Sequence, residues 1–310
     1  LWLSVVYLSD SLYFCANYNT VCSMIQENFI KIYEKSFKKN WELPALTDYS
    51  KGTTFSFADV AKEIARIHIL FEECQIRRGD KIALIGKDSA RWCIVYMAAV
   101  TYGAIIVPIL QDFSPNDVHH IINHSESVFL FVSDRIWDTL EEEMIEDVRG
   151  VFSLSDFRCL HQRDGESIQK LLKGMDEKMA EKYPDGFGKD DIEYAELDND
   201  KVVLLNYTSG TTGFSKGVML TGNNLAGNVM YGIELGVLYR GERELCFLPL
   251  AHAYSCAFNS DGCRGACLPV GEGSFSQNPV ESLRGGETEP DPDGPVDPGE
   301  DLQENDPAAA

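Results

Sequence analysis

Positive charge is scarce in this chain: 27 lysines and arginines stand against 49 aspartates and glutamates, a formal net charge of -22 at pH 7. That balance argues against a nucleic-acid-binding face and against a basic patch for an anionic membrane. No apolar run approaches the roughly 20 residues that a helix needs to cross a bilayer. The nine cysteines are scattered, and only Cys263 and Cys267 lie close together. This usage fits a free-thiol, cytoplasmic protein rather than a disulfide framework or a zinc site. Lysine stops altogether after Lys216.

The two ends lack what a folded domain needs. Leu1 to Ser23 contains no methionine and no basic residue, and Asp10 interrupts its apolar run, so it does not read as a secretory signal. The expectation is that Met24 is the native start and that 1–23 is upstream sequence translated in frame. From Ser260 to Ala310 there are few β-branched or aromatic residues and repeated Asp-Pro and Gly-Glu pairs, with two arginines against a dozen acidic groups. Close to half of the net negative charge sits there, and such a stretch cannot bury enough apolar surface to fold. It reads as an acidic interaction tail or as a frameshifted end, and the abruptness of the change favours the frameshift. The folded part is therefore expected over 24–259.

Within that part, apolar content is ample: 44% of the whole sequence is hydrophobic. The stretch from Ile25 to Tyr33 is amphipathic, with Phe29, Ile30 and Tyr33 on one helical face. Thr54 to Val60 turns from extended chain into a helix, capped by Ser56 with Asp59 three residues on, and Gly79-Asp80 is its expected stop. Strands are expected at Lys81–Ile85, Ala104–Pro108 and Val128–Val132. Helices are expected from Ser89 to Tyr102 and from Ser114-Pro115 onward, with proline at the first helical position. Alternation of this kind predicts an α/β fold, a doubly wound parallel sheet with flanking helices. Glu141–Glu143 and Lys170–Lys182 read as solvated helix faces. His119, His120 and His124 read the same way, helical spacing putting His120 and His124 on a common face, rather than as a metal cluster.

The most informative stretch is Leu204-Leu205-Asn206-Tyr207-Thr208-Ser209-Gly210-Thr211-Thr212-Gly213-Phe214-Ser215-Lys216-Gly217-Val218. Val202 to Leu205 reads as a buried parallel strand, and the loop leaves its carboxyl end, where ligands gather in open α/β sheets. Gly210, Gly213 and Gly217 let backbone amides approach an anion. Thr208, Ser209, Thr211 and Thr212 add hydroxyls that can donate to phosphate or reach a magnesium ion, and Lys216 adds a compact positive charge. The spacing is wrong for a Walker A loop, which needs Gly-Lys-Ser/Thr opening a helix. Here Lys216 is followed by glycine and an apolar run, which predicts a strand.

Tyr207 to Val218 resembles the signature loop of the adenylate-forming enzymes, the superfamily of acyl-CoA synthetases, peptide-synthetase adenylation domains and firefly luciferase. Ser215 stands where proline is usual, and Gly222-Asn223-Asn224 where a His-x-Asn helix start is common. Gly79-Asp80-Lys81-Ile82-Ala83-Leu84, and Tyr102-Gly103-Ala104 with Val107-Pro108, are similar to further segments of the family. So is Leu248-Pro249-Leu250-Ala251-His252, whose histidine in the family lies near the acyl carboxylate. Tyr254 would then stand in the pocket wall.

The resemblance implies the incomplete N-terminal part of the adenylate-forming fold and a two-step reaction. ATP, with Mg2+, activates a carboxylic acid as its adenylate, and coenzyme A then accepts the acyl group. The implied nucleotide-binding set is Thr208, Ser209, Gly210, Thr211, Thr212, Gly213 and Lys216, with Thr211 on magnesium and with Lys216 and His252 acting on the reaction. The implied substrate is a long-chain fatty acid, which would bring peripheral membrane contact. An amino-acid or aryl-acid adenylation domain, or a non-catalytic fragment with an acidic tail, is the alternative. The family's later Tyr-Gly-x-Thr-Glu and Tyr-x-Thr-Gly-Asp segments do not occur in these 310 residues.

Overall fold

The computed structural model describes residues 28–48, 51–145, 147–163, 165–208, 215–227, 249–252 and 268–270. Helix α1 (Phe29–Lys39) begins at Asn28, whose side chain accepts hydrogen bonds from the amides of Ile30 and Lys31. Its Phe29, Ile30 and Tyr33 face is buried, as the periodicity predicts. Strands β1 (Pro44–Asp48) and β2 (Thr53–Ser56) form an antiparallel pair. Helix α2 (Phe57–Glu73) follows directly from the expected cap: Ser56 Oγ accepts from the Asp59 amide at 3.1 Å, and the Asp59 carboxylate accepts from the Ser56 amide at 2.9 Å. This helix ends at Glu73, ahead of the expected stop at Gly79, because Gln75 turns the chain with a φ of 56°.

Next come β3 (Lys81–Ile85), α3 (Ala90–Tyr102), β4 (Ile105–Ile109), α4 (Pro115–His124) and β5 (Ser127–Val132). Gly103 ends α3 with a φ of 92°, a conformation that costs glycine little. A Cβ at that position would also lie 3.2 Å from Leu197 and 3.3 Å from Arg78. After the short α5 (Asp134–Trp137), two strands appear that the sequence reading does not contain, β6 (Gly150–Ser153) and β7 (Cys159–Gln162). At four residues each they are too short for their alternation to stand out. Glu142–Met144 forms only a 3-10 turn in place of the expected helix face, whereas Lys170–Lys182 is helical, split between α6 (Ser167–Lys173) and α7 (Met175–Lys182). Finally come β8 (Val202–Thr208), β9 (Lys216–Thr221) and β10 (Leu268–Val270).

Seven of these strands make one sheet in the order β7-β6-β5-β3-β4-β8-β9. The five central strands pair in parallel, and β7 and β9 run antiparallel at the two edges. The expected doubly wound sheet is present, with its margins reversed in direction. Side chains alternate between its faces. Ile82, Leu84, Ile106, Phe131 and Leu204 pack with α2 and α3, and Ala83, Ile85, Val107, Ile109 and Leu130 pack with Val118, Ile121 and Ile122 of α4. A second sheet has the order β10-β1-β2. Strand β10 falls inside the stretch read as unable to fold, while 1–23 and 271–310 lie outside the described residues. Among the described residues, no helix is long and apolar enough to cross a membrane.

The expectation of a solvated histidine face on α4 needs correction. His119 is buried, and its Nε2 accepts a hydrogen bond from the Glu141 amide at 3.0 Å, because the chain after α5 folds back over the helix. Among the described residues there is no grouping of three His, Cys, Asp or Glu side chains placed to hold a metal ion.

Burial also holds His68 of α2 neutral: its Nε2 lies 3.0 Å from the Ala98 carbonyl, and desolvation depresses its pKa to about 4 despite that bond. The unfolded chain therefore binds the proton more tightly, so this contribution to stability is whole above about pH 6.5 and shrinks as pH falls toward 4. His119, whose pKa burial also lowers, acts in the same direction. Urea unfolding should show about 2 kcal/mol lost between pH 7 and pH 5 through His68, and His68→Gln, which keeps a donor but cannot titrate, should flatten that limb.

Candidate functional site

The hairpin made by β8 and β9 places the two stems of the predicted phosphate loop side by side. Thr208 ends β8, Lys216 opens β9, and the two are direct partners in the antiparallel register. Both are exposed. A strand, as expected, follows the lysine. Ser209, Gly210, Thr211, Thr212 and Gly213 lie outside the described residues, as does Tyr254.

The last residues of β8 point alternately to the two sheet faces, and each ties down a different segment. Asn206 is buried and donates from Nδ2 to the Ala251 carbonyl at 3.3 Å. Leu250 donates its amide to the carboxylate of Asp88, in the turn after β3, at 2.9 Å. The His252 amide closes the turn by donating to the Pro249 carbonyl at 2.9 Å. Leu250 and Ala251 are thereby buried in the core shared with α2 and α3, and His252 is left exposed. The carboxyl ends of β3 and β8 thus hold between them the turn that carries His252.

On the other face, Tyr207 is buried against α4 and its hydroxyl lies 2.7 Å from His124 Nδ1. Burial raises the pKa of this phenol and keeps it protonated. Beyond the hairpin, Thr221 caps a helical stretch over 222–227: its amide donates to Asn224 Oδ1 at 2.9 Å, and the Asn224 amide returns to Thr221 Oγ1 at 3.4 Å.

Asp88, Asn206 and His124 are absent from the sequence-based site. Asn206 left a signal, since a polar side chain in an otherwise apolar buried strand requires a hydrogen-bond partner. Asp88 and His124 left none, because their partners are 162 and 83 residues away.

An open α/β sheet with a glycine- and hydroxyl-rich loop at the carboxyl end of a central strand belongs to the class of proteins that gather ligands at that edge. Residues 33–270 match the AMP-binding enzyme family, and the chain belongs to that family. It is 26% identical over 235 residues to the probable acyl-activating enzyme 16, chloroplastic, of Arabidopsis thaliana, covering 73% of this chain and 32% of that protein. It is 29% identical over 209 residues to the long-chain-fatty-acid–CoA ligase FadD15 of Mycobacterium bovis, covering 67% and 33%. It is 27% identical over 219 residues to the 4-coumarate–CoA ligase 1 of Oryza sativa subsp. japonica, covering 68% and 37%. The chain therefore spans about a third of the length of these curated relatives.

Among solved structures, the N-terminal domain of FACL13 from Mycobacterium tuberculosis superposes with a TM-score of 0.62 at 19% identity, covering 80% of this chain and 58% of that one. The O-succinylbenzoate coenzyme A synthetase MenE from Bacillus subtilis, in complex with AMP, gives 0.58 at 21%, covering 79% and 55%. The fold is the N-terminal portion of the adenylate-forming architecture.

Removing the Asp88 carboxylate should free the turn that carries His252 without unfolding the sheet. In Asp88→Ala, amide hydrogen exchange at Leu250 should accelerate about tenfold or more, the effect of losing a hydrogen bond to a charged group, while exchange in β3 and β5 stays as in the parent.

Proposed function

We propose that this chain supplies the phosphate-holding part of an enzyme that activates a carboxylic acid with ATP and passes the acyl group to coenzyme A. The observation that carries the reading is the pairing of Thr208 with Lys216 at the mouth of a hairpin leaving the carboxyl end of β8. A donor hydroxyl and a cation stand together there, both exposed, at the edge where such sheets take up their ligands.

In the first step a carboxylate oxygen of the acid attacks the α-phosphorus of ATP, forming the acyl–phosphate bond and releasing pyrophosphate. In the second, the sulfur of coenzyme A attacks the acyl carbon; the thioester forms, AMP leaves, and the thiol proton is lost. This chain's share of the first step is positioning and charge neutralisation. Thr208 and Lys216, with Ser209, Gly210, Thr211, Thr212 and Gly213 of the same loop, would hold the β- and γ-phosphates as pyrophosphate departs. Thr211 would supply a magnesium ligand, and the ion would screen the phosphate charge. His252 would orient the acid's carboxylate from the turn held by Asp88 and Asn206.

A long-chain fatty acid is the proposed substrate. Support comes from the Leu248 to His252 segment and from the likeness to FadD15, while the likeness to a 4-coumarate ligase makes an aryl acid the competitor.

Two measurements test the reading. Titration of the chain with magnesium-ATP should give saturable binding, weakened about tenfold or more in Lys216→Ala by loss of a charge-assisted phosphate contact; equal affinity for the two proteins would remove Lys216 from the site. ATP–pyrophosphate exchange should be stimulated by palmitate more than by 4-coumarate. The reverse order would replace the fatty acid with an aryl acid, and binding without any exchange would leave the chain a nucleotide-binding module.

A further inference from the structure

The hydrogen bond between His124 and Tyr207 joins two parts of the chain with no shared task in the reading above. His124 is the last residue of α4, a helix that contributes nothing else to the site. Tyr207 is the residue before Thr208. Its ring is held on two sides. Across the hairpin its register partner is Gly217, and the ring lies so close to that backbone that a Cβ there would stand 3.2 Å from Cζ and 3.4 Å from both Cε1 and the hydroxyl. On the outer side the hydroxyl meets His124 Nδ1 at 2.7 Å, with the two rings at 90° and their centroids 5.8 Å apart.

The ring's own residue and the glycine across from it each adjoin one end of the loop. Tyr207 is bonded to Thr208 and Gly217 to Lys216, so fixing the ring fixes the separation and height of both stems relative to α4. A tyrosine held only by apolar packing could slide along the groove of α4. The directional bond to an imidazole nitrogen removes that freedom.

We propose that His124 is a positioning residue for the nucleotide loop: through the Tyr207 hydroxyl it holds Thr208 and Lys216 in the spacing that receives the ATP phosphates. This rests on the function proposed above. Exposed at the end of α4, His124 touches no reacting atom, and its effect reaches the ligand through Tyr207 alone.

The test measures magnesium-ATP affinity and melting temperature on the full 310-residue chain for the parent, His124→Ala, Tyr207→Phe, the double variant, His124→Asn and Lys216→Ala. His124→Ala and Tyr207→Phe should each weaken ATP binding about five- to tenfold, as the loss of one net hydrogen bond would. The double variant should be no weaker than either single one, because the same bond is removed. Asparagine presents an acceptor close to the position of Nδ1, so His124→Asn should return affinity to within about threefold of the parent. Tyr207→Phe keeps the ring in place, so its melting temperature reports whether the fold has survived should His124→Ala fail to fold.

Additive losses in the double variant, parent-like ATP affinity in Tyr207→Phe, or no recovery with asparagine would each overturn the proposal. Failure of the underlying reading looks different: the parent does not bind ATP, or Lys216→Ala binds as the parent does. Either result takes both proposals down together. A strong Lys216→Ala effect beside a silent Tyr207→Phe removes His124 alone.

Discussion

Register along β8 is the constraint on which the rest of the site depends. The strand lies between β4, its parallel partner, and β9, its antiparallel partner, and its side chains point alternately to the two faces of the sheet. Leu204 and Asn206 face the helices α2 and α3, and Leu205 and Tyr207 face α4. A slip of one residue would exchange these sets. The Asn206 amide would then point into the apolar layer against α4, the His252 turn would lose its bond through Ala251, and the Tyr207 ring would enter the core packed on α2 and α3. Energetic specificity here comes from two polar contacts, Asn206 with Ala251 and Tyr207 with His124, each satisfied on one face only.

Much of the architecture could be read from the chain because the responsible interactions are local. The Ser56–Asp59 capping box, proline at the start of α4 and glycine at the end of α3 each act within a few residues, and each element lies where its cap predicts. The apolar runs of β3, β4 and β5 could be read for a similar reason, since strands buried on both faces are continuously hydrophobic. What escaped reading was short or distant. Four residues of β6 carry too little alternation to declare a strand. The end of α2 was misjudged because Gln75, not glycine, adopts the left-handed conformation there.

The site divides along the same line. Its loop announces itself by composition, because glycines, hydroxyls and one lysine are adjacent in sequence. Its supports do not. Asp88, Asn206 and His124 act on residues 45 to 162 positions away; Asn206 stands out as a polar residue in an apolar strand, but nothing near Asp88 or His124 in sequence marks either for its role. His252 stands between the two cases: a short motif points to it, but only the fold reveals that its turn hangs from two strands.

Strand β9 closes one margin of the seven-stranded sheet, and its successive residues Val218 and Met219, on opposite faces, are 45% and 69% exposed. Among the described residues nothing pairs with its outer edge. A row of unpaired amides and carbonyls beside exposed apolar side chains is a template for another strand. Pairing through such a margin would run along the backbone and set Lys216, at the strand's start, beside the seam. The hairpin that presents the loop thus also presents, among the described residues, the sheet's open margin, and a charged side chain at position 219 would disfavour the addition of a further strand there.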